Sequence, residues 1–126
     1  MTYEFIVAIR NDQGQILVLE ALDSRPLVPG GELMNTPQLK TIAQKVRSDT
    51  GLDIRGLHLT STRKEGGREV HRYTAAVAGG QLHLFPSADF RSASWVAPGL
   101  VVRLSGASKD LVELIRDLAF THVRAP

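Results

Sequence analysis

The chain has 126 residues, a length that fits one domain with one hydrophobic core over residues 1–126. Its 43% hydrophobic content excludes a disordered protein, and a formal net charge of +2 does not favour nucleic acid as a partner. The lack of cysteine excludes a disulfide scaffold, a thiolate zinc site and a cysteine nucleophile. No apolar run reaches the roughly 20 residues that span a bilayer, and no secretory pattern is present, so we expect a cytoplasmic location.

The first third of the chain predicts a hairpin that leads into a glycine turn. Residues 2–10 alternate as a strand does, with one face made of Tyr3, Phe5, Val7 and Ile9. The turn 11–14 contains Asn, Asp and Gly, which suit a tight reversal, and a second strand follows over 15–21. The segment 27–31 then reads as a short apolar approach to the turn at Gly30-Gly31.

A helix is predicted over residues 37–50. Thr36 is a candidate cap and Pro37 suits the first helical position, where its missing N–H costs nothing. Spacings of three and four residues predict one buried stripe, made of Leu39, Ile42, Ala43 and Val46. Gly51 is placed to end the helix in the left-handed conformation.

The remainder predicts further strands and a closing helix. Strands are expected over 52–61, 68–78, 81–85 and 92–96, with turns at 63–67 and 79–80 and a break at Pro98-Gly99. Ser108 is a candidate cap for a last helix, whose stripe is Leu111, Leu114, Ile115 and Leu118. This order predicts an α/β domain with a mixed, mostly antiparallel sheet and a helix on each side.

Two short segments on either side of the first helix carry a family resemblance. Pro29-Gly30-Gly31 before it and Asp49-Thr50-Gly51-Leu52 at its end resemble the Nudix box, and the element order resembles that family over nearly the whole chain. The resemblance implies an α/β/α sandwich. It also implies a hydrolase that acts on nucleoside diphosphate derivatives with magnesium, held by three Glu residues of the box helix.

The box departs from the family pattern at its metal positions. The three Glu positions hold Lys45, Ser48 and Asp49, and the Arg position holds Gln44. The loop Glu falls on Thr36 or Pro37, in a loop that is one residue short. Like charges at ~4 Å repel by roughly 4 kcal/mol at an effective dielectric constant of 20, so an ammonium here opposes a metal ion. We therefore expect poor magnesium binding by this helix face.

The candidate site residues follow from the box. Gly30, Gly31 and Lys45 are candidates for binding a phosphate of the substrate, and Asp49 and Glu32 for binding Mg²⁺ if the protein is active. Glu65 or Glu69 is an alternative source of a ligand. Each has a structural alternative: a solvated helix face for Lys45 with Lys40 and Arg47, an exposed loop acid for Glu32, and a polar hairpin surface for the last two acids.

The other polar and aromatic residues favour structural roles. The only basic cluster is interrupted by acids, which disfavours binding of nucleic acid; it comprises Arg63, Lys64, Arg68 and Arg72. His58 and His83 lie in strand patterns, and the aromatic residues Phe85, Phe90 and Trp95 favour the core over a base-stacking role. His71 shares one face of a predicted strand with Glu69. A homodimer is implied by the family resemblance alone.

Three functions remain open at this level. The first is a ligand-binding domain that recognises a nucleotide or nucleoside-diphosphate derivative, with weak or no hydrolysis. The second is a divergent metal-dependent hydrolase of nucleoside diphosphates linked to another group. The third is a protein-interaction module that binds no nucleotide. The fold alone does not choose among them.

Overall fold

A computed structural model describes residues 2–84 and 90–124, with side chains described up to Leu118. Its elements, in chain order, are β1 (Thr2–Arg10), β2 (Ile16–Ala21), β3 (Pro26–Leu27), β4 (Gly30–Leu33), α1 (Leu39–Thr50), β5 (Leu52–Glu65), β6 (Arg68–Gly80), β7 (Phe90–Val96), α2 (Pro98–Val101) and α3 (Lys109–Arg124). No helix in this described part of the chain has both the length and the apolar character needed to cross a membrane.

The sheet is mixed and contains all seven strands of the described residues. β1 lies at its centre, parallel to β6 on one side and antiparallel to β2 and β4 on the other. β5 forms the edge beyond β6, and β3 and β7 both pair with β2. The predicted mixed, mostly antiparallel sheet is confirmed.

Each face of the sheet is covered by a different helix. Alternate residues of a strand point to opposite faces, so the odd residues of β1 pack beneath α1 in one cluster that includes Phe5, Val7, Ile9, Ile42 and Val46. The opposite face packs beneath α3 in a second cluster that includes Ala8, Leu111, Leu114 and Ile115. We name these surfaces the α1 face and the α3 face. Together they form the expected α/β/α sandwich.

The helix α1 is shorter than predicted at its start. It begins at Leu39, and its N-cap is Gln38, which makes no side-chain capping bond, so the prediction of a Thr36 cap with helix from Pro37 is wrong. Leu39, the first residue of the helix, is 55% exposed and lies outside the buried stripe that it was predicted to join. The predicted end is correct, since Gly51 has φ +77°.

Residues 81–84 are not a strand, contrary to the prediction; Phe85 lies outside the described residues. The N–H of His83 bonds to the carbonyl of Thr50 at 2.8 Å, so this segment runs beside the end of α1. Leu82 and Leu84 pack against the core of the α1 face from there. Alternating leucines therefore fill the core here without joining the sheet.

Several other boundaries differ from the prediction. The glycine turn is part of strand β4, and β5 continues to Glu65 so that the hairpin turn is only Gly66-Gly67. The predicted turn at 79–80 lies within β6, and the predicted break at Pro98 is a one-turn helix. The Ser108 cap is confirmed, because its Oγ accepts a hydrogen bond from the N–H of Leu111 at 3.1 Å.

Candidate functional site

The two glycines before α1 are required by close contacts. A Cβ at position 30 would lie 2.3 Å from the carbonyl oxygen of Phe5, so only glycine lets β4 approach β1 here. A Cβ at position 31 would lie 3.2 Å from Cε of Lys45. The aliphatic part of the Lys45 side chain therefore lies directly against the backbone of Gly31.

The ammonium of Lys45 contacts the one acid among the three box positions. Its Nζ donates a hydrogen bond to Oδ1 of Asp49 at 3.2 Å and lies 3.0 Å from Oδ2, one helical turn away. The Asp49 side chain is only 14% exposed, while that of Lys45 is 47% exposed. We name the surface formed by Gly31, Lys45 and Asp49 the box surface.

The box surface continues across the α1 face of the sheet. Gly31, Phe5, His71 and Thr62 are successive register partners on β4, β1, β6 and β5. His71 is buried, and its Nε2 lies 3.3 Å from Oε1 of Glu69 without hydrogen-bond geometry. Its ring also contacts those of Tyr3 and Tyr73. An imidazole and a carboxylate thus share the sheet face that carries Lys45.

An open depression lies beside the box surface on α1. Its volume is about 680 Å³, and it is lined by Gln44, Arg47, Ser48 and Gly51. Two of these, Gln44 and Ser48, occupy positions that the Nudix pattern assigns to Arg and Glu. Three of the four lining residues carry polar side chains, and Arg47 is held to Asp53 by an Nη1 to Oδ1 contact of 3.0 Å. A polar ligand can therefore reach the box helix from this side.

Comparison with known proteins identifies the fold. No family model and no curated protein sequence matches the chain. Among solved structures, the chain is similar to a NUDIX-family hydrolase from Clostridium perfringens, at 11% identity and a TM-score of 0.73, with 94% of this chain and 97% of that chain covered. It is also similar to an ADP-ribose pyrophosphatase from Streptococcus suis, at 15% identity and a TM-score of 0.74, with coverage of 98% and 92%. A Caenorhabditis elegans Ap4A hydrolase is similar at 12% identity and a TM-score of 0.71, with 98% of both chains covered.

The fold is that of the Nudix proteins. The sequence resemblance and the solved structures therefore agree on the scaffold. At the positions where the sequence resemblance implies three metal-binding Glu residues, this chain has Lys45, Ser48 and Asp49. This donor set does not fit octahedral Mg²⁺, which prefers several oxygen ligands and carboxylates above all.

The structure does not bring Glu32 together with Asp49. Glu32 follows Gly31 on β4 and is the register partner of Glu4, so strand alternation directs its side chain to the face opposite the box surface. Glu65 lies at the β5–β6 hairpin, where Arg63 lowers the pKa of its carboxyl group. Within residues 2–84 and 90–118, no three His, Asp or Glu side chains are grouped to hold a metal ion.

The basic cluster of the hairpin is occupied by ion pairs with acids, mainly those of α3. Arg63 contacts Asp110, Arg72 contacts Glu113 as well as Asp110 at 3.7 Å, and Arg68 contacts Glu4 at 2.8 Å. The guanidinium of Arg63 is the main cause of the lowered pKa of Asp110, and that of Arg72 the main cause of the lowered pKa of Glu113. The sequence places the arginines in one cluster, but it gives no sign of these partners about 40 residues away.

The other residues considered from the sequence lie either against the core or at exposed positions of strands and helices. Phe90 and Trp95 of β7 are half-buried against the core of the α1 face, as expected of core residues. His58 is exposed on the edge strand β5. Lys40 is exposed on α1, one helical turn before the box residues, and makes no ion pair with a described side chain. It is therefore a matched control for Lys45.

Proposed function

We propose that this chain binds a nucleotide or nucleoside-diphosphate derivative at the box surface, with weak or no hydrolysis. The observation that carries the proposal is the contact of Lys45 with Asp49, Nζ to Oδ2 at 3.0 Å. An ammonium stands where the Nudix pattern has a metal-binding carboxylate. It supplies the positive charge for a phosphate directly, without an intervening metal ion.

The exposure of Lys45 supports this role. An exposed i,i+4 ion pair stabilises a helix by only ~0.3–0.5 kcal/mol, and the Lys45 side chain is 47% exposed. A charge-assisted hydrogen bond to a phosphate contributes more, about 1.5–3 kcal/mol. An incoming phosphate can therefore displace Asp49 as the partner of the ammonium. The absent side chain at Gly31 lets the Lys45 stem lie against the backbone of β4.

Direct binding predicts opposite effects for the two partners. Lys45→Ala removes the attractive charge and should weaken binding of ADP-ribose at least about tenfold. Asp49→Asn removes a repulsive carboxylate beside the phosphate and frees the ammonium, so it should strengthen binding severalfold. Lys40→Ala makes the same change in net charge on the same helix and should change the affinity less than about twofold.

The experiment is titration calorimetry of the folded chain and these three variants. The ligands are ADP-ribose and diadenosine tetraphosphate, chosen because similar structures are named for acting on them. Each titration is run first with EDTA and then with Mg²⁺. Binding in EDTA with the predicted order of variants supports the proposal. Binding that requires Mg²⁺, or equal losses in Lys45→Ala and Lys40→Ala, would overturn it.

The second candidate is a divergent hydrolase of nucleoside diphosphates linked to another group. It is favoured by the low 14% exposure of Asp49 and by Glu69 and His71 on the same sheet face. The test is release of AMP from ADP-ribose with Mg²⁺ and then with Mn²⁺. Turnover that Asp49→Asn abolishes supports this candidate and contradicts the first. The absence of turnover in a chain that still binds ADP-ribose supports the first.

A further inference from the structure

Two arginines flank a single alanine on the α3 face, far from the box. Arg10 at the end of β1 and Arg55 on β5 are both register partners of Ala76, which lies on β6 between them. Two strand spacings separate their backbones, about 10 Å in all. Both side chains line one cavity of about 360 Å³, beneath Leu118 of α3.

Small residues make up most of the remaining lining of the cavity. The rest of its lining is Gly56, Thr74, Ala75 and Ala76. Gly56 has φ +63° and lies in a β-bulge, where three steps of β5 from Arg55 to His58 match two steps of β6. Bulges bend a strand and redirect the neighbouring side chain. The bulge thus lies where Arg55 and Thr74 both line the cavity.

These arginines differ from those of the hairpin. Arg63, Arg68 and Arg72 each have carboxylate partners, whereas neither Arg10 nor Arg55 makes an ion pair or hydrogen bond with a described side chain. Two arginine side chains that line one cavity bring like charges near each other, and an anion bound between them would offset the repulsion. Guanidinium groups match the oxygen geometry of phosphate in a bidentate manner.

We infer that this cavity is a second binding site, specific for a phosphate or diphosphate group and separate from the box surface. The volume lies at the lower end of the range for small-molecule pockets, roughly 300–1,000 Å³, and suits a diphosphate. Because the sheet lies between the α3 face and the α1 face, the two sites are filled independently. The inference therefore does not depend on ligand binding by Lys45.

The test follows the side-chain Nε–H resonances of the arginines by NMR while inorganic pyrophosphate is added. We expect the resonances of Arg10 and Arg55 to shift together and to saturate. Arg10→Gln or Arg55→Gln should each weaken this binding at least about tenfold. Arg103→Gln is the matched control, because Arg103 is exposed and lies outside the cavity. It should leave the affinity unchanged within about twofold.

The ligand can be a free diphosphate or a nucleotide, and a parallel titration with ADP separates them. If pyrophosphate and ADP bind with equal affinity, the site recognises the diphosphate alone. If ADP binds more tightly, the site recognises a nucleotide. Either result supports the inference. It is overturned if neither arginine resonance shifts, or if Arg103→Gln weakens binding as much as Arg10→Gln does. Lys45→Ala should leave these shifts intact, which distinguishes this site from the box surface.

Discussion

Arg63 and Asp110 join the β5–β6 hairpin to the first turn of α3 through two hydrogen bonds. Nε of Arg63 donates to Oδ1 at 2.9 Å, and Nη2 donates to Oδ2 at 2.6 Å. The side chains are only 28% and 18% exposed, so the pair is better shielded from solvent than most surface ion pairs. It ties together two elements that are 47 residues apart in the chain.

Asp110→Asn should make the chain less stable at neutral pH. The bonds to Arg63 hold the pKa of Asp110 below its usual value of 3.8, and a depressed pKa contributes stability above the unfolded value. We expect a loss of about 1.5–3 kcal/mol in the free energy of unfolding at pH 7. The difference from the unmodified chain should shrink as the pH falls below 3.8 and through the folded pKa.

Urea unfolding of both chains between about pH 7 and pH 2.5 measures this difference. Asp12→Asn is the control, since Asp12 is exposed in the first turn and its carboxylate makes no bond within the described part of the chain. The interpretation fails if the difference between Asp110→Asn and the unmodified chain is the same at both ends of the pH range.

Restoring acids to the box should create a metal site. The double variant Lys45→Glu, Ser48→Glu places carboxylates beside Asp49 and removes the ammonium that lies 3.0 Å from it. Because an ammonium at ~4 Å from a cation costs roughly 4 kcal/mol at a dielectric constant of 20, its removal alone should strengthen binding at least tenfold. Manganese binding followed by electron paramagnetic resonance measures the gain.

The control for the metal site is Lys40→Glu, Thr41→Glu, which makes the same change in charge at two exposed positions of α1. Equal manganese affinity in the two double variants would mean that net charge alone attracts the metal. Tighter binding only in Lys45→Glu, Ser48→Glu would show that the geometry of a Nudix box survives in this helix.

Replacing each of the two neighbouring glycines before α1 with alanine should have different effects on stability. At position 30 the new Cβ would meet the backbone oxygen of Phe5 at 2.3 Å, which cannot move without breaking the β1–β4 pairing. At position 31 its tightest contact would be Cε of Lys45 at 3.2 Å, near the end of a flexible side chain, and the Phe5 ring would lie at an ordinary 3.7 Å. We expect Gly30→Ala to cost about 2–3 kcal/mol of stability and Gly31→Ala less than about 1 kcal/mol.

Gly31→Ala should still weaken ligand binding, because the added methyl group moves Lys45 away from its place over the backbone. Thermal unfolding and ADP-ribose calorimetry of both variants separate these effects. A Gly31→Ala chain that is stable and binds ADP-ribose unchanged would exclude the Gly31 surface from the site.

The sequence predicted those parts of the fold that depend on neighbouring residues. Alternation placed Phe5, Val7 and Ile9 on one face of β1, and that face packs under α1 as expected. The cap at Ser108 and the end of α1 at Gly51 follow from local backbone chemistry, and both are observed. The box resemblance lies on either side of α1, and the role of this helix in ligand binding stays a prediction.

Features that depend on distant partners could not be predicted from the sequence. Leu82 and Leu84 alternate as a strand would, but the path of the chain after Gly80 sends them along the end of α1. The position of Arg10 and Arg55 on either side of one alanine depends on the parallel pairing of β1 with β6, which no local pattern encodes. The side chain of Glu32 points away from the box surface because residue 32 lies in strand β4, a segment for which the sequence predicted a turn.

The contact of Gly51 with residue 81 gives a final prediction about what ends α1. A Cβ at position 51 would lie 2.4 Å from the carbonyl oxygen of Gln81, and the residue has φ +77°. Gly66 has φ +59° in the hairpin turn, and a methyl group added there would have no atom within 4 Å. Alanine at either site incurs the left-handed backbone cost of about 1–2 kcal/mol, but only position 51 adds a backbone clash.

We therefore expect Gly51→Ala to lower the free energy of unfolding by about 1–3 kcal/mol more than Gly66→Ala does. Urea unfolding of both variants measures the difference. A larger loss at position 51 means that residues 81–84 are held firmly against the end of α1, where the bond from His83 to Thr50 also lies. Equal losses would mean that this segment yields to the methyl group, so that α1 ends through backbone conformation alone.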